Sequence, residues 1–147
     1  MITLRPFSVK DALVLRPIMY TDMSMEQIEK MIRQWNKKQV NNRYFEMLAV
    51  ICDEMIVGMI SLYQHSDHVI SIGPEIFPEY RRNGCAKEAL KLACEKAKKM
   101  GYKIVSQQIL IHNQASIALH RSLGFETNGY VYTNSKGNQV SIYLKSL

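Results

Sequence analysis

A short basic segment with a glycine turn, Arg81-Arg82-Asn83-Gly84-Cys85-Ala86, stands between a predicted strand and a strongly periodic helix. The first N–H groups of a helix have no partner inside it, and the helix dipole places partial positive charge at that end. Gly84 lacks the Cβ that would keep an anion away, and arginine side chains carry forked donors that suit phosphate oxygens. The segment predicts a phosphate-binding loop, with an ordinary surface turn as the alternative.

A second segment, Asn113 to Phe125, favours the first interpretation, because it has an asparagine before a helix of small residues and Gly124-Phe125 after it. Together the two segments resemble the GNAT superfamily of acyl-CoA N-acyltransferases, whose phosphate loop reads Arg/Gln-x-x-Gly-x-Gly/Ala. The resemblance also includes Leu4-Arg5-Pro6 and Asp11, so it covers nearly the whole chain. The residues that fit the two patterns are Arg81, Gly84, Ala86, Asn113, Ala115, Ser116, Gly124 and Phe125.

The resemblance implies the GNAT fold, which is of the α/β (α+β) class. In this fold about four helices flank a mixed central sheet of about six to seven strands, and the fourth and fifth strands form a splayed parallel pair. It also implies that acetyl-CoA, as cofactor and acyl donor, gives its acetyl group to a primary amine of a small molecule or peptide in a ternary complex. The loop Arg81–Ala86 would hold the pyrophosphate, and the backbone N–H groups of Ile76 and Phe77 would bind the oxyanion.

Asn113 and Ser116 stand at the start of the last predicted helix. The resemblance implies that both lie near the pantetheine arm and contact the cofactor. Asn113 is also a good N-cap in any helix, and that role alone would explain it. For Asn113, cofactor contact and simple capping both remain open.

His120 occupies the position where the family most often has a tyrosine, which is thought to protonate the departing CoA thiolate. A histidine with an ordinary pKa near about 6.5 can give a proton to sulfur at neutral pH. The resemblance therefore implies that His120 is the catalytic acid. The alternatives are a neutral imidazole that only contacts the sulfur and a favourable charge at a helix C-terminus.

The reaction also needs a base, because an amine nucleophile is protonated near neutral pH. Glu75, beside the predicted break in its strand, is the first catalytic candidate, with a solvated strand-end residue as the alternative. Gln108 stands where some relatives carry a catalytic glutamate, and an amide cannot take a proton. Proton removal through water that reaches Glu75 or His112 is therefore a second possibility.

The cysteines and histidines predict no metal site. Cys52, Cys85 and Cys94 form no Cys-x-x-Cys pair, and the polar turn at residues 65–68 lacks a fourth ligand. Reduced thiols are expected. Cys85 lies at a helix N-terminus beside arginines, a setting that lowers a thiol pKa, so a reactive thiol is the alternative to a small residue in a tight loop.

The composition fits one domain spanning residues 1–147, with 47% apolar and 22% charged residues. No apolar run approaches the ~20 residues that span a bilayer, and the start of the chain lacks the apolar segment of a secretory signal. We therefore expect a cytoplasmic protein, monomeric or homodimeric, that binds no membrane.

The formal charge of +6 would suit nucleic acid, an acidic substrate or a polyphosphate. The basic residues are dispersed, however, and no aromatic residues alternate with them, so we predict no nucleic-acid partner. The stronger alternative to an enzyme is a non-catalytic acyl-CoA-binding regulatory domain, because the family's tyrosine is missing and Gln108 is not an acid.

Hydrophobic periodicity and turn residues predict the elements that position these residues. Capping boxes begin helices near Ser8 and at Ser24, and Pro17 should end or kink the first of these helices near Met19. Gly73-Pro74 should break the strand 69–77 from its neighbour near its end. The predicted strands are 1–6, 47–52, 55–62, 69–77, 102–111, 125–133 and 139–144, and the longer helices are 25–35, 86–100 and 113–124.

Overall fold

A mixed sheet of eight strands carries helices on both faces. The computed structural model describes all residues from 1 to 147. The strands are β1 (Ile2–Pro6), β2 (Gln39–Val40), β3 (Arg43–Cys52), β4 (Met55–Gln64), β5 (Val69–Ile76), β6 (Ile104–Leu110), β7 (Tyr132–Thr133) and β8 (Gln139–Ser146). The α-helices are α1 (Ala12–Met19), α2 (Met25–Trp35), α3 (Cys85–Lys99) and α4 (Gln114–Ser122).

The sheet order is β1-β3-β4-β5-β6-β8-β7, with β2 paired to β3. All neighbours are antiparallel except β5 and β6, which run parallel and are joined through α3. A parallel pair needs such a crossover, because its strands start at the same edge of the sheet. The predicted fold class is therefore confirmed, including the parallel pair and the four helices.

Side chains alternate between the two faces of the strands and build two hydrophobic cores. One core packs beneath α1 and α2, and its fully buried members include Phe7, Leu15, Ile28, Ile32 and Ala49. The other lies between the sheet and α3, and includes Leu48, Val50, Leu62, Ala89, Leu90 and Ala93. Small residues on α3 let this helix lie close to the sheet, and α3 packs against β5.

Both predicted capping boxes are present. Ser8 accepts from the Lys10 amide and begins a single 3-10 turn that leads into α1. Ser24 accepts from the Gln27 amide at 3.1 Å, while Gln27 reaches back to the Ser24 amide. Pro17 lies inside α1, which ends two residues later at Met19, as predicted.

A buried carboxylate on β3 pairs with a lysine of α3 on the face of the sheet that this helix covers. Glu46 is 3% exposed, and it accepts from the Tyr44 hydroxyl while Lys38 and Lys96 lie within 3.5 Å. Burial alone would raise the pKa of Glu46, but the hydroxyl and the two ammonium groups hold it below its usual value. A charged group is thus buried with its partners, which is the condition under which burial is tolerated.

The predicted strand 125–133 is wrong over most of its length. Only β7 forms, together with one isolated bridge between Glu126 and Leu144. The Thr127 hydroxyl accepts from the Gly129 amide, and the Asn128 side chain accepts from the Tyr130 amide. Gly129 has a φ of +78°. Such side-chain turns compete with a strand ladder. The short β2 was not predicted.

None of the four α-helices is both long enough and apolar enough to cross a bilayer.

Gly58 allows β4 and β5 to approach closely at the end of β5. A Cβ at this position would collide with the carbonyl oxygen of Glu75 and lie 2.9 Å from the Cα of Ile76. Both atoms belong to the backbone, so neither can move without displacing the strand.

We expect Gly58→Ala to lower the free energy of unfolding by about 1–3 kcal/mol in urea denaturation, because it overpacks two backbones. Gly73→Ala is the matched control, since its Cβ meets only the Ser61 side chain, which can rotate. Equal losses for the two variants would contradict this explanation.

Candidate active site

Six consecutive backbone amides, from Arg82 to Lys87, have no acceptor within the chain. Gly84 stands directly before α3 with a φ of +76°, and a Cβ there would meet nothing within 4 Å. Arg82 also adopts a left-handed conformation, with a φ of 67°. Unsatisfied amides around an open glycine at a helix N-terminus form a setting suited to phosphate.

Arg81 connects this loop to the end of β5. Its Nε donates to the Ile76 carbonyl oxygen at 2.8 Å, and its guanidinium lies 3.3 Å from the Glu75 carboxylate. Arg82 and Asn83 are exposed at the surface of the loop, and Ala86 is half-buried. The loop is therefore hydrogen-bonded directly to the strand end.

The parallel strands separate soon after they meet. β5 and β6 pair only at Val69 with Ile104 and at Ile70 with Val105. Beyond this point β5 stays paired with β4, and β6 stays paired with β8. The result is a V-shaped gap, and the predicted splay of this strand pair is confirmed.

Backbone amides of β5 point alternately toward β4 and toward the gap. The Phe77 amide, just past the strand, donates to the Val57 carbonyl oxygen at 2.9 Å, so it is already used. The Ile72 amide points the other way, toward β6. By this alternation the Ile76 amide faces the gap. Of the two amides predicted to bind an oxyanion, only that of Ile76 is therefore free, because that of Phe77 is bonded to Val57.

A cavity of about 560 Å³ opens where the strands separate. Hydroxyl, amide and imidazole groups line it, and no aspartate, glutamate, lysine or arginine is among the fifteen lining residues. The polar side chains on its wall are Ser61, Tyr63, His65, Ser71, Ser106, Gln107, Gln108, Ser116 and His120.

Gln107 bridges the two strands at the point of the V. Its Oε1 accepts from the Ile72 amide at 2.9 Å, and its Nε2 donates to the Ile72 carbonyl oxygen at 2.5 Å. The same Nε2 lies 3.3 Å from Nε2 of His120. A side-chain amide thus makes the two bonds that a continued ladder would have made, and Gln107 is only 6% exposed.

Residues 2–126 match the family model described as the acetyltransferase (GNAT) domain. The chain belongs to the GNAT acetyltransferase family. Its relative YokL, an uncharacterized N-acetyltransferase derived from the SPbeta prophage of Bacillus subtilis strain 168, is 30% identical over 101 residues. This match covers 67% of the chain, and it spans 57% of the length of YokL.

Two solved structures show the same fold. Mycobacterium smegmatis RimJ in complex with CoA-disulfide has a TM-score of 0.82 and 14% identity, covering 99% of this chain and 81% of RimJ. The yncA protein of Salmonella typhimurium with its cofactor acetyl-CoA has a TM-score of 0.74 and 15% identity, covering 100% of this chain and 94% of yncA.

In this GNAT domain His120, at the tyrosine position, is buried in the wall of the cavity with 4% exposure. Its Nδ1–H donates to the Ser116 carbonyl oxygen at 2.7 Å, which leaves Nε2 as the acceptor facing Gln107. Burial lowers the pKa of His120, although the bond to Ser116 opposes this. The neutral imidazole therefore has no proton on the nitrogen that faces Gln107.

Glu75 does not line the cavity, but it lies beside it. It follows Ser71 and Gly73 on the same face of β5, since side chains two residues apart share a face. Its side chain is 49% exposed and paired with Arg81. Glu75 therefore lies at the rim, directly after the lining residues Gly73 and Pro74.

Asn113 caps α4, because its Oδ1 accepts from the Ser116 amide at 3.1 Å. Its side chain is exposed and outside the cavity lining, whereas Ser116 lies in that lining. The helix cap thus presents Ser116 and His120, one turn apart, to the same space.

Cys85 does not have the lowered pKa of a reactive thiol, which favours the interpretation as a small residue in a tight loop. Burial raises the pKa of this thiol above its usual value, and the nearby Cys52 acts in the same direction. Cys85 is buried at the first position of α3. All three cysteines are free thiols, and no group of three or more potential metal ligands lies together.

Sequence reasoning missed Gln107, Ser71 and His65. Nε2 of His65 donates to the Ser71 hydroxyl at 2.6 Å, and that hydroxyl donates to the Ser106 carbonyl oxygen at 2.5 Å. A signal for Gln107 did exist, because it alternates with the buried Val105 and Ile109 on one strand. A polar residue at an inward position of an apolar strand usually has a specific partner.

The protonation of His120 has a consequence for stability. An unfolded histidine has a pKa near about 6.5, so below that pH the unfolded chain binds more protons than the folded one at this site. The free energy of unfolding therefore has its full value above the pKa of the unfolded histidine and decreases as the pH falls below it.

We expect His120→Asn to flatten the decline in the free energy of unfolding between about pH 7 and pH 5, because asparagine can donate to Ser116 without titrating. Urea denaturation across this range measures the slope. The pKa of His65 is also lowered by burial, but His65 is present in both proteins and cancels. Identical slopes would contradict a depressed pKa at His120.

Proposed function

We propose that this protein is an acetyl-CoA-dependent N-acetyltransferase. The observation that carries the proposal is the run of unsatisfied amides at the start of α3, joined through Arg81 to the strand that borders the splayed gap. One end of this arrangement suits a pyrophosphate and the other opens onto a polar cavity. A long donor with phosphates at one end and a reactive thioester at the other fits that layout.

In the proposed reaction the amine nitrogen attacks the carbonyl carbon of the thioester. A C–N bond forms while the carbonyl π pair moves onto oxygen. The oxyanion then re-forms the C=O bond, the C–S bond breaks, and the sulfur leaves with the electron pair as a thiolate. An amine that arrives as an ammonium loses two protons in all, one before attack and one from the tetrahedral intermediate, whereas the sulfur takes up only one. One proton is therefore released to solvent for each acetyl group transferred. Alignment of amine and thioester supplies much of the rate.

In the proposed complex the acyl donor acetyl-CoA binds along the loop and in the gap. The free amides of Arg82, Asn83, Gly84, Cys85 and Ala86 bind the pyrophosphate, and Arg82 adds positive charge. The Ile76 amide, which faces the gap, donates to the arm of the donor, whereas the Phe77 amide is occupied and takes no part. Ser116 contacts the pantetheine end from α4, and Asn113 fixes that helix.

Glu75 and His120 carry the two proton transfers of the proposed reaction. Glu75 at the rim takes the proton from the amine, directly or through water, and its charge attracts an ammonium group. His120 gives a proton to the thiolate, for which its Nε2 must first take one up. The lowered pKa of His120 makes the imidazolium a stronger donor once it forms.

The acceptor is proposed to be a primary amine of a small molecule or peptide. The cavity wall offers hydroxyl and amide groups but no carboxylate, and the closing turn reaches it where Asn134 donates to Gln108 at 3.2 Å. Polycations bind best to several carboxylates, so this wall favours an acceptor with one amine and neutral surroundings. Spermidine, the substrate named for a Vibrio cholerae neighbour of the same fold, belongs in the test panel as the contrasting case.

We expect Gly84→Glu to weaken CoA binding by about 100-fold, because the carboxylate would fill the open space at the amides and repel phosphate. Calorimetry measures the dissociation constant. Gly101→Glu is the matched control, since Gly101 also has a positive φ, +99°, and open space, but lies at the other end of α3. Similar losses in both variants would contradict the assignment of the loop.

We expect Glu75→Gln to lower kcat by about 100-fold in a free-thiol assay with a panel of amines and peptides, and to leave CoA affinity nearly unchanged. Glu79→Gln removes a charge from the same segment and serves as the control. Because Glu75 also pairs with Arg81, CoA binding is measured in parallel. A loss confined to CoA affinity would reassign Glu75 to holding the loop.

The second candidate is a non-catalytic acyl-CoA-binding domain. The absence of a proton on Nε2 of neutral His120 favours it, since the family's tyrosine position then offers no ready acid. Saturable CoA binding without acceptor-dependent thiol release across a broad panel would support this candidate over the enzyme.

A further inference from the structure

We propose that the Gln107 carboxamide donates a hydrogen bond to the thioester carbonyl of bound acetyl-CoA, in place of a strand amide that Pro74 lacks. This inference rests on the proposed function, because it assigns a residue to the same reaction. It does not follow from the phosphate loop, and it is tested separately from it.

The gap-facing positions of β5 are Ile72, Pro74 and Ile76. The Ile72 amide is taken by Gln107, and proline has no N–H. The next gap-facing amide belongs to Ile76, which is four residues from Ile72, or about 13 Å along an extended strand. Near the point of the V, β5 therefore offers no free donor for a carbonyl oxygen.

Gln107 is held at this point by two bonds to one residue. Its Oε1 and Nε2 engage the amide and the carbonyl of Ile72, at 2.9 and 2.5 Å. Both contacts together fix which atom is oxygen and which is nitrogen. The carboxamide is buried and cannot rotate without breaking them, so its remaining N–H has a fixed direction. Such a donor needs no reorganisation when charge develops.

That remaining N–H has only a weak partner. It meets Nε2 of His120 at 3.3 Å, longer than the usual 2.9–3.0 Å or so of a good N–H donor bond. Both groups lie on the wall of the cavity, where a ligand can replace the contact. A carbonyl oxygen at the usual bonding distance can accept from this N–H in place of the distant nitrogen, and an oxyanion, which carries the charge, accepts far more strongly.

In the reaction this N–H acts while the C–N bond forms. The carbonyl π pair moves onto the oxygen, and the hydrogen bond from Gln107 strengthens as the negative charge grows. It weakens again when C=O re-forms and the thiolate leaves. When the Gln107 N–H donates to the oxyanion in place of His120, Nε2 of His120 is left free to accept the proton that the nitrogen of the tetrahedral intermediate loses, and His120 then passes a proton to sulfur.

The test compares Gln107→Met with Gln64→Met. Methionine keeps the length of the side chain and removes its donor and acceptor. Gln64 is the matched control, because its Oε1 also accepts from a backbone amide of a neighbouring strand, that of Tyr44 at 3.0 Å, but it does not line the cavity.

The first readout needs no turnover. Acetyl-CoA labelled with ¹³C at its carbonyl is bound to each protein without acceptor, and the carbonyl band is isolated by infrared difference spectroscopy. A hydrogen bond lowers the stretching frequency. We expect a lowered band in the native protein and in Gln64→Met, and a band near its solution position in Gln107→Met.

The second readout is kinetic. We expect kcat of Gln107→Met to fall by about 100–1,000-fold while the KM for acetyl-CoA changes by less than about threefold, because the bond is stronger in the transition state. Gln64→Met should keep the native kcat.

Two results would overturn the inference. One is a lowered carbonyl band that survives in Gln107→Met, and the other is a loss of CoA affinity with kcat unchanged, which would make Gln107 a bridge between strands only. If the native protein binds CoA but releases no thiol, the proposed function fails while the infrared result still decides the role of Gln107.

Discussion

The separation of β5 from β6 after two residue pairs determines the arrangement of the rest of the molecule. Two neighbouring strands that stop pairing leave backbone donors and acceptors without partners, and buried groups of this kind are costly. At the point of the V the Gln107 side chain bonds to the amide and the carbonyl oxygen of Ile72. Further along β5, Pro74 has no N–H that would need a partner. No buried side-chain nitrogen or oxygen is left without a partner. The polar side chains buried around the gap are therefore all satisfied.

The elements around the gap keep its two sides in place. α3 begins after the loop at Gly84 and is fixed to the sheet by its small residues and by the ion pair between Lys96 and Glu46. α4 closes the opposite wall, where its cap places Ser116 and His120 one turn apart. Except for His65 in the turn after β4, the polar side chains that line the cavity stand on strands or on α4, so the packing of these elements positions them.

Much of this arrangement was readable in the sequence, for reasons that are local. The capping boxes at Ser8 and Ser24, the small-residue face of α3 and the glycine before it depend on neighbours in the chain. The parallel pair followed from the strand, helix and strand order. What local reasoning missed depends on distant contacts: Gln107 is explained only by Ile72, and His65 only by Ser71. The strand predicted at 125–133 failed because side-chain turns at Thr127 and Asn128 outcompeted its β pattern.

The bond from Arg81 to the Ile76 carbonyl closes a small ring of backbone and side chain between the strand and the loop. A ring of fixed size tolerates no change in the number of residues within it. Insertions or deletions between positions 76 and 81 would break the closure, even if every residue on either side were kept. The turn at residues 134–138 closes on itself through Asn134, and its exposed bond from Asn134 to Gln108 closes no such ring. Length variation among close homologues should accordingly be found at that turn and be absent from the ring.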